Sequence, residues 1–257
     1  MKTVLACCIL SGAAVAASAT EVGILSGSGT MSFDLPTFLG QTPLDSFDAA
    51  FGITETRTQV LSGLPGNNPA ASQTWAINPV GTPSPTGRSV QGSTLAIDPT
   101  NILGTWGGVA SDFGAFASGG EQIGFGGMTR WLVDPAFGGG KLLFGDWGLR
   151  YSPARAGTLA GSTTNVRSGL VLTSNIDFLN ATFVDIGNAS ISVTGDTLTI
   201  TGDMLVSNGL VALGFPSSNL GLDVGDFTLT ATLAPAPGAA ALLGAGGLVA
   251  LRRRRPL

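Results

Sequence analysis

The strongest pattern in the chain is a strict alternation over its last third. In Phe227–Leu233 the apolar residues Phe227, Leu229, Ala231 and Leu233 share one face, and Thr228, Thr230 and Thr232 the other. Leu198 and Ile200 alternate in the same way with Thr197, Thr199 and Thr201, and Ile191 and Val193 with Ser190, Ser192 and Thr194. A period of two with one apolar and one hydroxyl-bearing face marks antiparallel strands that meet water on one side. Thr194-Gly195-Asp196-Thr197 supplies a turn, and Gly202-Asp203 reads as a second one before Met204–Ser207. Residues 181–233 are therefore expected to form an antiparallel meander.

The pattern continues less regularly upstream. Leu142–Tyr151 is strand-forming, with Trp147, Leu149 and Tyr151 on one face, and Gly169–Phe178 and Gln122–Val133 add further strands. Gly27–Leu35 and Ser93–Asp98 are weaker candidates. Short helical turns are expected at Pro43–Phe51 and within Asn101–Ala117, and the Pro-, Gly- and Asn-rich stretch 64–90 as an exposed loop. No long stretch of period 3.6 occurs. Strands recurring about every 8–15 residues between turn signals predict an all-β fold, a single antiparallel β-sandwich or jelly-roll-like domain over residues 20–234.

Composition narrows the chemistry. The 257 residues include 39 glycines, two cysteines and no histidine, and only 11% are charged. That hydrophobic, charge-poor make-up is the opposite of a disordered chain, and the acidic balance excludes a nucleic-acid partner. Without histidine there is no Ser-His-Asp or Cys-His site. Cys7 and Cys8, adjacent in sequence, cannot staple a domain.

Both ends are unlike the body. Lys2, the apolar or small run Val4–Ala17 and the Ala17-Ser18-Ala19 box form a secretory layout, with cleavage expected after Ala19 and a signal helix over residues 1–19. At the other end, Ala234-Pro235-Ala236-Pro237-Gly238 leads into the apolar run Ala239–Leu251 and then Arg252-Arg253-Arg254-Arg255. As a helix, the apolar run spans about 20 Å, short of the ~30 Å hydrocarbon core. Four arginines directly after it stay on the cytoplasmic side. The segment reads as a short hydrophobic helix inserted transiently through 239–251.

Taken in order, Pro235-Ala236-Pro237, the apolar helix and Arg252–Arg255 resemble the PEP-CTERM sorting signal of bacteria, over residues 235–257. The family's Pro-Glu-Pro is Pro-Ala-Pro here, which points to a variant sorting enzyme. The resemblance implies an exosortase-type membrane protease as partner, removal of the tail, and delivery to the cell surface or into extracellular polymer. It says nothing of residues 20–234.

Setting both ends aside changes the charge. Residues 20–234 hold seven basic residues, Lys141 and six arginines, against 16 acidic ones, about −9 rather than the −4 of the whole chain. The mature protein would also have no cysteine. Carboxylates, Glu21, Glu55, Glu121 and 13 aspartates, are then its only acid–base supply. Asp134, Asp146, Asp196, Asp203 and Asp226 neighbour glycine or proline and read as turn residues. Asp45 with Asp48, and Asp223 with Asp226, are the nearest calcium-type pairs, without the spacing of a dedicated loop. Gly138-Gly139-Gly140-Lys141 is no phosphate loop, because Leu142 replaces its Ser/Thr and Pro135 its first glycine. Gly124-Phe125-Gly126-Gly127 is too fragmentary for a dinucleotide. Trp75, Trp106, Trp131 and Trp147 are expected in the core, the alternative being a sugar-stacking platform. Asn180-Ala181-Thr182 and Asn188-Ala189-Ser190 match glycosylation sequons but in a bacterial protein are turn and strand residues.

These observations predict an exported, non-enzymatic cell-surface or extracellular-matrix protein of bacterial type, with extracellular polysaccharide as a further partner. No catalytic, cofactor or metal site is expected. The alternative is a secreted carbohydrate- or calcium-binding module.

Overall fold

The computed structural model describes residues 22–79, 88, 90–93, 95–106, 121–158, 165–176 and 179–234. The expected signal helix and C-terminal helix, with Ala17, Ala19, Pro235–Pro237 and Arg252–Arg255, lie outside the described residues. The strands are β1 (Ile24–Phe33), β2 (Leu44–Phe51), β3 (Ser72–Ala76), β4 (Ile123–Val133), β5 (Lys141–Tyr151), β6 (Gly157–Thr158), β7 (Val166–Ile176), β8 (Leu179–Thr194), β9 (Thr197–Val206) and β10 (Asp223–Leu233). Two short helices, α1 (Leu35–Gly40) and α2 (Asn208–Ala212), complete the list with several one-turn helical segments.

All the strands belong to one sheet in the order β2-β4-β5-β7-β8-β9-β10-β1-β3, with β6 beside β7. Every pairing is antiparallel. From β4 to β10 the path is a meander, and β1 returns to lie against β10. The far edge then comes back to β4. β2 pairs with its second half, Phe51 opposite Met128 through Leu44 opposite Val133. Beyond β3, Ile77 bridges to Phe125, and the Asn78 amide donates to the Gly124 carbonyl at 2.7 Å. The sheet thus curls until it nearly closes as a barrel.

Alternation places the core inside this curl. Phe227, Leu229, Ala231 and Leu233 are buried while Thr228, Thr230 and Thr232 are exposed, as the sequence predicts. The centre is aromatic. Trp131 stacks on Phe47 with centroids 4.3 Å apart, and Phe33 and Phe38 meet its edges at 5.2 and 5.1 Å. Phe183 joins Phe144 at 4.7 Å and Trp147 at 5.2 Å. Helix α1 closes one end. Asp34 caps it by accepting from the Thr37 amide at 3.3 Å, Pro36 starts its first turn, and Phe38 is driven into the core.

Strands β4 and β5 are buried on both faces, because the chain leaving β2 and the segment around 88–95 lie across their outer side. Glycine permits that approach. A Cβ at Gly124 would collide with the Gln91 carbonyl, and one at Gly126 with the Ile53 side chain.

Several expectations are corrected. Pro43–Phe51 is a strand, not a helical turn. Register shifts at Leu44/Ser46 and Phe47/Ala49 leave Leu44 and Phe47 buried three apart, which imitates a helical period. The exposed loop expected at 64–90 contains β3, whose Trp75 is buried. Gly202-Asp203 is inside β9, not a turn, and a Cβ at Gly202 would meet the Gly187 carbonyl at 2.6 Å. Ser93–Asp98 contributes only the bridge between Ile97 and Val22. In Asn101–Ala117 the described part holds a single 3-10 turn at Ile102–Thr105.

Candidate functional site

The outer face of β3, β1, β10, β9 and the end of β8 is made of hydroxyls in register. One rank runs Thr74–Thr30–Thr228–Thr201–Ser190 across all five strands. The next runs Ser28–Thr230–Thr199–Ser192, and a third Ser26–Thr232–Thr197–Thr194. All these side chains are exposed or half-buried, and no charged residue interrupts the three ranks. Sheet geometry spaces hydroxyls about 4.8 Å apart along a rank and about 6.7 Å between ranks. Some already pair, Thr30 with Thr74 at 2.8 Å and, one rank further on, Ser32 with Ser72 at 2.9 Å.

That further rank ends in carboxylates. It runs Ser72–Ser32–Asp226–Asp203, with Asp226 directly opposite Asp203. Two bulges shape the place. One lies in β10 between Asp223 and Asp226, where Gly225 has φ 139°, and the other in β8 between Gly187 and Ser190, where Asn188 has φ 46°. The second turns the Asn188 amide towards β9, where it donates to Asp203 Oδ2 at 2.6 Å. The result is a concavity of about 420 Å³ lined by Asn188, Thr201, Gly202, Asp203, Asp226 and Thr228.

Asp223 stands beside this group. Its carboxyl is held above the ordinary aspartate range, first by partial burial and then by the negative charges of Asp203, Asp226 and Asp34. The Gly225 amide, 3.0 Å from Oδ1, opposes the shift. A raised carboxyl binds its proton more tightly in the folded than in the unfolded state, so it adds stability at acid pH and loses it as pH rises through the folded value. Asp223→Asn keeps the acceptor for Gly225 and removes the charge. Thermal melts are expected to show a slightly higher Tm at neutral pH and no gain below pH ~4. A lower Tm at neutral pH would show that the charge is stabilising.

The structure distributes the sequence candidates differently from their spacing. Asp223 and Asp226 do cluster, joined by Asp203 from β9 and by Asp34, the cap of α1. Asp45 is exposed, whereas Asp48 is ion-paired with Arg130. Among the described residues, no group of three or more His, Cys, Asp or Glu is placed to hold a metal ion. Asp134 and Asp196 are turn residues as expected, but Asp146 is not. It lies inside β5 at 1% exposure, ion-paired with Arg88. All four tryptophans are buried, at 7% exposure for Trp75 and Trp106 and none for Trp131 and Trp147, so the platform alternative is overturned. Among the described residues the exposed large aromatic is Phe137, 64% accessible in the β4–β5 connection between hollows of about 320 and 340 Å³. Nothing in its sequence context singles it out.

Cations are consumed inside. Arg130 pairs with Asp48, reaches the Val60 carbonyl, donates to the Leu64 carbonyl at 2.8 Å and lies over the Phe51 ring at 5.3 Å. Arg88 binds Asp146 and donates to the carbonyls of Gly52 and Glu55 at 2.7 and 3.0 Å. Arg155 makes a bidentate pair with the fully buried Asp185, both bonds 2.8 Å. Arg150 is also buried, and desolvation pulls it below its ordinary range. Four of the six body arginines are thus withdrawn from the surface, while Asp34, Asp45, Asp196, Asp223 and Asp226 stay exposed.

No protein-family model matches this chain, and no curated protein matches it. Among the described residues no helix is long and apolar enough to cross a membrane.

Proposed function

We propose that the chain is an exported, non-enzymatic cell-surface or extracellular-matrix protein of bacterial type, delivered by exosortase-type sorting of its C-terminal tail. The observation that carries this reading is the order Pro235-Ala236-Pro237, apolar 239–251 and Arg252–Arg255, opposite a secretory leader ending at Ala19. Two structural features support it. The last strand ends at Leu233, before the 235–257 tail begins. The Ala234 amide donates to the Gly23 carbonyl at 2.8 Å, so the two ends of the described body lie side by side. A body tethered there would present its opposite end outward. The finer architecture we read as a flattened barrel, whose facing walls pack through one aromatic core as the layers of a sandwich or jelly roll do.

An open outer concavity suits binding better than catalysis. Asp203 and Asp226 are cross-strand neighbours that rise side by side from one sheet face, not opposite each other across a sugar as glycosidase carboxyls are, Asp226 is exposed, and the hollow lies on an outer sheet face. A second reading, a carbohydrate-binding module secreted without exosortase-type sorting, differs in its delivery and draws on this same concavity. The sorting reading is tested by replacing Arg252–Arg255 with serine and fractionating cells. The surface-attached share is expected to fall and unprocessed chain to accumulate; an unchanged distribution and mature mass would overturn it.

A further inference from the structure

We propose that the hydroxyl-ranked face, with the Asp203–Asp226 concavity at its edge, binds chains of a neutral, hydroxyl-rich polysaccharide. This rests on the surface-protein reading above and names the polymer class it would meet. The first argument is hydrogen-bonding capacity. Three ranks of Ser and Thr present both donors and acceptors with no fixed charge, the chemistry of sugar hydroxyls themselves. A polymer lying along a rank meets a hydroxyl about every 4.8 Å, and the right-handed twist of the sheet is one a flexible glycan can follow.

The second argument is the built end of the ranks. Asp203 is held by Asn188 and sits opposite Asp226, and a carboxylate accepts two hydroxyl protons at once through charge-assisted bonds. Two bulges open the space for a ring there, beside Thr201 and Thr228. The third argument is charge. With four arginines drawn inside and five aspartates exposed, polyanionic glycans are repelled and neutral ones are not. Finally, Asp226 lies eight residues along β10 from Ala234, about 27 Å at ~3.4 Å per residue. The concavity therefore stands away from Ala234 and Gly23, where the described body ends.

The test uses the full chain purified after export, mixed with microcrystalline cellulose, starch granules or insoluble β-glucan, and run through gels containing soluble galactomannan or, as the anionic control, alginate. Retention by at least one neutral polymer and not by alginate is expected. Thr201→Val with Thr228→Val should weaken it about tenfold, and Asp203→Asn by a similar factor, with melting temperatures close to that of the parent. Phe137→Ala, outside the face, should leave retention unchanged. Absence of retention on every neutral polymer, equal retention on alginate, or full retention by the face variants would each overturn the proposal. Failure is separable from that of the sorting reading: a correctly exported and trimmed protein that binds no glycan defeats only this inference, and a glycan binder that is never exported defeats only the other.

Discussion

Trp131→Ala is expected to lower stability by about 3–5 kcal/mol, a large part of what a domain of this size holds in reserve. The ring has no exposure, stacks on Phe47 from β2, and is met edge-on by Phe33 from β1 and Phe38 from α1. It therefore ties three separate parts of the chain to β4. Its Nε1 donates to Thr129 Oγ1 at 3.0 Å, so truncation also leaves a buried hydroxyl short of a partner. Trp131→Phe keeps most of the stacking area and should cost less than half as much. Chemical denaturation read by far-UV circular dichroism measures both. A loss under about 1 kcal/mol for the alanine variant would mean that the barrel is not organised around this ring.

The second large effect is expected at Arg130. Its guanidinium is 1% exposed and joins Asp48 in β2 to the carbonyls of Val60 and Leu64 in the strap that covers β4. Arg130→Met strands the Asp48 carboxylate and frees both carbonyls, for a loss of about 3–5 kcal/mol. Because the fault is local, limited proteolysis should cut within residues 53–66 before the rest of the domain. Adding Asp48→Leu removes the stranded charge, and the double variant should recover most of the stability. If the single variant is as stable and as resistant as the parent, the buried pair is not what fastens the strap.

How far the sequence foretold this structure depends on how regular each strand is. The end of β8, β9 up to Thr201, and β10 are legible because their apolar and hydroxyl residues alternate and one face is solvated. Strand β2 is not, because two bulges break its period, and β3 is five residues hidden in a turn-rich stretch. On β4 and β5 both faces are covered, so a residue such as Asp146 sits beside glycine yet ends in a buried ion pair. The threonines of the candidate face could be named from sequence, but not their ranks, since Thr228 and Thr201 become neighbours only through the β9–β10 register. The same register joins Asp203 to Asp226 across the connection that holds α2. In the sequence Asn188 stands out only as a sequon residue. Its positive φ, which aims it at Asp203, belongs to a bulge that no local pattern announces. Phe137 is exposed by the hairpin that carries it, and its sequence gives no sign of that.

Gly23 and Ala234, near the two ends of the described body, are hydrogen-bonded neighbours, and the proposed leader and sorting tail flank them in sequence. The most direct measurement of the sorting proposal is the intact mass of the protein recovered from the surface or medium of the cells that produce it, with both ends sequenced. A chain that starts at Thr20 and lacks Arg252–Arg255, trimmed near Pro235–Pro237, is expected. Recovery of an exported chain that still carries Arg252–Arg255 would contradict it, as would a protein found only inside the cell with its leader intact.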